Sequence, residues 1–428
     1  MMNKTVAHAL PNPDTISRTV LSNGIVVLVY SNPATQSVVM SGNLPAGSIY
    51  EGPAQNGLAA MTAGALMRGT RSRNFQALHS ALEDIGADFG IGAGVHGVGF
   101  GGKALAEDFS TLVEIMAESL RYPVFPVDQV ERLRGEAMTG LKYQLQDTRR
   151  QSARAFRETL YASDHPYHYS TRGTLESLPT LTIAQLQDFH ARHYGPRGMI
   201  ISVAGNVVPA EVVSQIESAV GDWVNPEQPE IVRPAAAPQP EEIRRSFVAL
   251  PGKTQSDVIL GVVGPQRKAE DYQAARLANS ILGEFGMMGR VGDVVREQSG
   301  LAYYAYSRLE GGHGPGAWLV SAGVNPANVE RAIELSVSEA YRIADELVSE
   351  EELDDNKSYF VGRMPLQLET NEGLAGTVLA MEEFDLGLDY LVRLPEIIGT
   401  LTREDLQNAV RHYWRPDAYV VAVAGPKA

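Results

Sequence analysis

The sequence predicts an α+β protein of two homologous domains, each a mixed or antiparallel sheet covered by helices. Three observations predict it: an internal repeat, a proline-rich stretch near mid-chain, and strand-like and helix-like segments in both halves.

The repeat comes first because it sets the domain plan. Residues 181–205 read LTIAQLQDFHARHYGPRGMIISVAG, and residues 401–425 read LTREDLQNAVRHYWRPDAYVVAVAG. They align with an offset of 220 at Leu181/Leu401, Pro196/Pro416 and Gly205/Gly425, with one residue inserted before the second proline. Each copy opens as a helix with a threonine N-cap, Thr182 or Thr402. Each then turns at proline and enters an apolar run, 199–204 or 419–424, whose continuity predicts a strand buried on both faces. The second copy closes the sequence, so the first is expected to close a domain, followed by a helix over 209–220. The stretch NPEQPEIVRPAAAPQP, residues 225–240, is too proline-rich for a helix and reads as an extended linker. The expected plan is an N-terminal domain over 1–224, a linker over 225–242 and a C-terminal domain over 243–428.

Within the first half, 18–30 and 36–44 read as strands, while 56–68 and 106–120 read as helices. FGIGAGVHGVGFGGK, residues 89–103, reads as a thin strand with small residues facing a helix. It is no dinucleotide fingerprint, because no helix opens at its glycines. In the second half EGGHGPG, residues 310–316, reads as a hairpin loop.

Composition removes several function classes. The 428 residues are 44% apolar and 20% charged, as expected of a globular protein with a real core. The formal net charge of -15 argues against nucleic acid and against anionic membrane surfaces, both of which call for clustered Lys and Arg. The absence of cysteine excludes disulfides, thiolate nucleophiles and Cys-ligated zinc. No stretch approaches the roughly 18 apolar residues of a membrane span. The opening residues lack an apolar signal-peptide core and carry Pro11 and Pro13. A cytoplasmic location is the expectation, with the periplasm as the alternative.

Nine histidines leave a metal site to consider. His190 and His193 lie three apart on an expected helix, a tolerable ligand spacing, and so do His165 and His168. The His193-Tyr194 pair recurs as His412-Tyr413, which favours a structural role in both halves.

Several segments together resemble the pitrilysin/insulinase family of zinc metallopeptidases. They are LSNGIVVLV (21–29), LPAGSIYEGPAQNGLAAMTAGALMRGT (44–70), LRYPVFP (120–126), DHPYHYSTRGTLESLPTLT (164–182) and GLAYYAYS (300–307). They run in order over almost the whole chain. The resemblance implies a pitrilysin-like fold of paired homologous domains, which accounts for the repeat, and makes the His165-Pro166-Tyr167 segment a structural turn.

Active members carry an inverted motif, His-x-x-Glu-His, on the helix before the Gly-Thr pair. Two histidines four apart on one face bind one zinc, and the glutamate beside them deprotonates the bound water. A later helix supplies one more glutamate ligand. Counting back from Gly69-Thr70, the motif positions in this chain are Ala60, Ala63 and Gly64, and the distant glutamate falls at Gly140. None of these residues offers a lone pair to a metal, so no cofactor is expected in this chain and zinc is expected only in a partner.

The second half keeps what the first has lost. In ILGEFGMMGRVGDVVREQSGLAY, residues 281–303, Arg296 precedes Tyr303 by seven. On the residues alone, an Arg296 pair with Glu297 or Glu284 at the surface and a Tyr303 in the core stay open as the alternative; the resemblance implies that the two reach the substrate, the tyrosine hydroxyl donating to the developing oxyanion and the arginine fork binding backbone carbonyls. Alternation sets Tyr304 and Tyr306 on the face of the strand opposite Tyr303. In the family's non-catalytic processing subunit a glycine-rich loop near 282–289 handles substrate. In this chain Met287 and Met288 there read as adaptable apolar contacts.

Some bacterial members, and the mitochondrial processing peptidase, are heterodimers in which one subunit lacks the zinc motif. The resemblance therefore implies a zinc-less subunit that encloses peptide substrate beside a zinc-motif-bearing homologue and supplies Arg296 and Tyr303 in trans. When isolated, such a chain could reuse its partner-facing surface to form a homodimer. The alternative is a structural or interaction protein of the same fold with no role in proteolysis, as in the core subunits of the respiratory cytochrome bc1 complex.

Overall fold

The computed structural model describes residues 10–286 and 289–427. The expectation for Met287 and Met288 lies outside them. The residues form two compact units that do not follow chain order. The first gathers the chain up to Thr139, Ser170–Val232 and Met364–Leu394. The second gathers Gly140–Tyr169, Arg233–Arg363 and the chain from Pro395.

The first unit holds a six-stranded sheet of β1 (Ile16–Val20), β2 (Val26–Ser31), β3 (Ser37–Leu44), β4 (Asp88–Ala93), β5 (Val98–Leu105) and β6 (Ile200–Gly205), ordered β1-β2-β6-β3-β5-β4. Only β2 and β6 pair in parallel. The glycine-rich stretch expected as a single strand folds as the hairpin β4–β5, with its turn at 94–97. Gly47 sits so close to that turn that a Cβ would collide with the Val95 carbonyl.

The second unit holds β7 (Arg244–Ala249), β8 (Ser256–Val263), β9 (Ala302–Leu309), β10 (Ala317–Val324) and β11 (Val420–Gly425), ordered β7-β11-β8-β10-β9. β7 and β11 pair in parallel and the other neighbours antiparallel. This repeats the first sheet strand for strand without a counterpart of β1. The repeat read from sequence is the core of the match: β6 and β11 are offset by 220 residues and occupy the same place in each sheet. Their preceding helices, Ile183–His193 and Arg403–Tyr413, both begin with capping boxes at Thr182 and Thr402. Both sheets are mixed and helix-covered, the pitrilysin-like α+β fold.

Each sheet is also covered by a helix from the other half of the chain. Helix Thr148–Leu160 packs on β8 and β11, and helix Asn371–Glu383 packs on β3 and β6. The two are fastened alike, by a polar side chain in the first turn. Thr148 donates to Asp257 on β8, and Asn371 donates to Thr35 Oγ1 (3.0 Å) and the Ser37 carbonyl (3.1 Å) at the start of β3. Asp257 and Asn371 are both buried, so losing either fastening would strand a desolvated polar group.

Apolar side chains fill the interior of each unit. Val39, Ala204, Leu374 and Ala375 meet under the first sheet. In the second, Trp318 is fully buried and donates its indole N–H to Asn279 at 2.9 Å. The proline-rich residues 225–240 carry no helix or strand, and the hairpin loop at 310–316 joins β9 to β10. No helix among the described residues is long and apolar enough to cross a membrane.

Candidate functional site

In the first unit the motif positions lie on helix Leu58–Leu66. Its N-cap, Gly57, takes φ 95°, and a Cβ there would strike Gly173, so the entry to the helix needs glycine. The Glu51 carboxylate accepts from the Gly57 and Ala59 amides and caps the first turn. Its burial outweighs these two hydrogen bonds and pushes the carboxyl up to about 7.

The helix is well formed, but its donor positions are empty of donors. Ala60 is half-buried and Ala63 is buried. At Gly64 a Cβ would stand 3.2 Å from Cδ2 of Leu133, on the neighbouring helix Val127–Leu145. That helix also carries Gly140, where a Cβ would meet nothing within 4 Å. A Cβ is therefore unobstructed at Gly140 and tight against the end of Leu133 at Gly64. The nearest acid on this stretch, Glu136, is engaged with Arg68 (2.6 Å) and Arg132 (3.1 Å). Arg68 above all holds its carboxyl below the usual range.

The four histidines at ligand spacing make contacts within the fold. His190 bonds through Nε2 to the Leu120 carbonyl at 2.8 Å, and burial lowers its pKa. His193 packs between Tyr50 and Phe189. In the second unit the Nδ1 of His165 accepts the Tyr167 amide (3.1 Å), its Nε2 faces the Ala235 carbonyl (3.2 Å), and its ring stacks on Tyr161. His168 bonds to the Tyr161 carbonyl at 2.9 Å. Among the described residues no three His, Asp or Glu side chains converge on a point that could hold a metal ion. The residues at the inverted-motif positions do not fit zinc, for want of donors at Ala60, Ala63, Gly64 and Gly140.

In the second unit Arg296 lies on a π-helical segment, Gly292–Gln298, with its Nε 3.3 Å from the Glu297 carboxylate. The segment ends through Gly300, at φ 62°, and leads into β9. Tyr303, near the start of that edge strand, is 83% exposed. Upstream, Arg290 forms a bidentate pair with Glu352, both bonds 2.7 Å. On the opposite face of β9, Tyr304 donates to Asp257, and the rings of Tyr304 and Tyr306 lie 5.7 Å apart. Burial, then Asp257, holds the Tyr304 hydroxyl well above the usual phenol range. Over both rings sits Arg149, at 4.6 Å and 5.5 Å, and it donates to the Tyr306 hydroxyl at 2.8 Å. The sequence separated Tyr303 from Tyr304 and Tyr306 by alternation but gave no view of Arg149, which comes from a helix of the other chain half.

Two sheet-and-helix units sharing one strand order define a chain of the pitrilysin-like α+β fold. The chain belongs to the M16, or insulinase, peptidase family. The profile described as "Insulinase (Peptidase family M16)" matches residues 26–174, and "Peptidase M16 inactive domain" matches residues 180–360. Relatives include an uncharacterised zinc protease of Mycobacterium leprae, 26% identical over 421 residues, covering 96% of this chain and 92% of the relative. Another, of Streptomyces coelicolor, is 25% identical over 372 residues, covering 85% and 80%. The same fold appears in a peptidase M16 inactive domain from Pseudomonas fluorescens, with TM-score 0.87, 24% identity and 96% and 98% of the two chains covered. It appears again in a protease from Helicobacter pylori, with TM-score 0.88, 20% identity and coverage of 97% and 100%.

Proposed function

We propose that this chain is the zinc-less subunit of a heterodimeric zinc metallopeptidase, working beside a homologous subunit that bears the intact inverted motif. The observation that carries the reading is the contrast on the motif helix. Its fold, its Gly57 entry and its Glu51 cap are intact, while Ala60, Ala63 and Gly64 stand at the donor positions. A peptidase scaffold has been kept and its own metal chemistry given up.

This chain's part in the reaction falls to its second unit. Tyr303, on an exposed edge, donates its hydroxyl hydrogen to the substrate oxygen that gains charge as the peptide bond is attacked. Arg296, with its fork of donors, holds backbone carbonyls of the peptide. In the reconstituted pair, Tyr303→Phe is expected to lower kcat by roughly 10²–10³, and Arg296→Ala chiefly to raise KM. Co-elution of the two subunits on size exclusion should persist in both variants. Unchanged kinetics in both would refute the supporting role and leave an interaction protein of the same fold.

A further inference from the structure

We infer that Arg149, Tyr304 and Tyr306 form a carboxylate-binding site on the outer edge of the second sheet, separate from the Arg296–Tyr303 stretch. The ligand class is a peptide carboxylate, borne by a chain terminus or by an Asp or Glu side chain. That the carboxylate belongs to a peptide rests on the function proposed above; that Arg149 binds a carboxylate does not.

The placement of Arg149 runs against its local electrostatics. It stands in the first turn of helix Thr148–Leu160, followed by Arg150, and that turn holds no acidic residue. Helix N-termini carry positive partial charge, so cations there are disfavoured and anions favoured. The structure nevertheless holds the Arg149 guanidinium in place by other means. It lies over two tyrosine rings and spends one N–H on the Tyr306 hydroxyl rather than on a carboxylate. A guanidinium has five N–H donors, so most of its fork remains to be used, and Arg149 is exposed.

The platform below is rigid. Tyr304 packs on Gly323 of β10, where a Cβ would collide with its ring. Its hydroxyl donates to Asp257, which is 1% exposed. Asp257 also accepts from Thr148 and from Gln255, so this nearby acid is engaged beneath the rings. The other, Asp147, caps the helix by accepting the Arg150 amide at 2.8 Å. Strand alternation adds the exposed Arg308 to the face that carries Tyr304 and Tyr306. Arg157, two turns along the helix, is matched by Glu310 at 2.8 Å. Arg149 has its orientation fixed in advance and makes no salt bridge among the described residues, Asp257 acting on it only from beneath the rings, which suits bidentate capture of a carboxylate.

The test uses the full chain alone and three fluorescein-labelled decapeptides of one neutral sequence. One ends in a free carboxylate, one ends in an amide, and the third ends in an amide but carries a central glutamate. Fluorescence anisotropy at low salt is expected to show a carboxylate-bearing peptide bound at least about 10-fold more tightly than the neutral amide, as a charge-assisted bidentate contact allows. Which of the two binds tighter distinguishes terminus from side chain. Arg149→Met should abolish the preference, and Tyr306→Phe, which only unties the guanidinium, should reduce it several-fold, with thermal melts like the wild type. Equal binding of all three peptides by the wild-type chain, or no binding of any, overturns the inference without recourse to a variant. A preference that survives Arg149→Met overturns it as well and leaves Arg149 as a brace between helix and strand.

Discussion

Leu133 lies against Gly64, its Cδ2 3.2 Å from the point that a Cβ on Gly64 would occupy. Any side chain at position 64 therefore starts in tight contact with the end of Leu133. Glycine inside a helix costs up to about 1 kcal/mol relative to alanine, and the end of a leucine side chain can give by a few tenths of an ångström. Gly64→Ala is therefore expected to stabilise the protein slightly, by about 0.5 kcal/mol. Gly64→His must displace Leu133 altogether and is expected to destabilise by about 1–3 kcal/mol. Urea melts decide both signs. The triple change Ala60→His, Ala63→Glu, Gly64→His should gain little zinc by metal analysis while Leu133 stays, and stoichiometric zinc in that variant would contradict the crowding argument.

Arg290 anchors the start of the π-helical segment that carries Arg296. Its side chain is 12% exposed, and Glu352, its bidentate partner, is 35% exposed. Removing one partner of such a pair leaves a charge poorly solvated, so Arg290→Met is expected to cost about 2–3 kcal/mol, reduced from the fully buried case because water still reaches Glu352. The Arg290 bond holds the Glu352 carboxyl below its ordinary value. A lowered carboxyl stabilises the fold above the unfolded pKa, and that stability is lost as pH falls through the folded one. The wild-type advantage over Arg290→Met should thus shrink in acid below about pH 4.5. An advantage that does not change on acidification would show that the pair is not the source.

Glu51 has the opposite sign. Its carboxyl is raised to about 7 by burial. Between the unfolded value near 4.5 and 7 the folded state holds the proton more tightly, so stability falls as pH rises across that window. Glu51 is half-buried, and screening reduces the effect to about 1–2 kcal/mol. Glu51→Gln removes the titration. The stability difference, variant minus wild type, should grow by that amount from pH 4.5 to pH 8 in paired urea melts. A flat difference would mean that the two amide bonds offset burial fully.

His165 ties the proline-rich stretch at Ala235 to the Tyr161–Tyr167 turn. Its Nδ1 accepts an amide hydrogen, so the ring is neutral, and burial lowers its pKa. The folded state therefore resists protonation, and stability is lost as pH drops below about 6.5 through the lowered value. Replacing the ring by His165→Asn is expected to cost about 1 kcal/mol at pH 8 and progressively less at pH 5. Limited proteolysis within 225–240 should rise in parallel, and cleavage insensitive to pH would contradict the staple.

Much of this fold was legible because it obeys local rules. Thr182 and Thr402 sit at the helix starts that the repeat implied, and helix Pro209–Val220 has the bounds its pattern suggested. The exchange of helices Thr148–Leu160 and Asn371–Glu383 between the two halves of the chain was not legible. Each is an ordinary amphipathic helix, and the sheet it covers is chosen by tertiary packing, sealed by Thr148 on Asp257 and Asn371 on Ser37. Counting from Gly69-Thr70 placed Ala60, Ala63 and Gly64 on one helix, as found, yet Leu133 against Gly64 was not legible, since it depends on how two helices meet. Arg149 over Tyr304 and Tyr306 was not legible either, since it comes to β9 from a helix of the other chain half.

The most direct measurement is hydrolysis of a fluorogenic peptide, with zinc present, by this chain alone, by a homologous subunit with the intact inverted motif alone, and by the two mixed. The account predicts turnover only in the mixture, lost with Tyr303→Phe and Arg296→Ala in this chain. Turnover by this chain alone, surviving rigorous purification and sensitive to chelator, would contradict it.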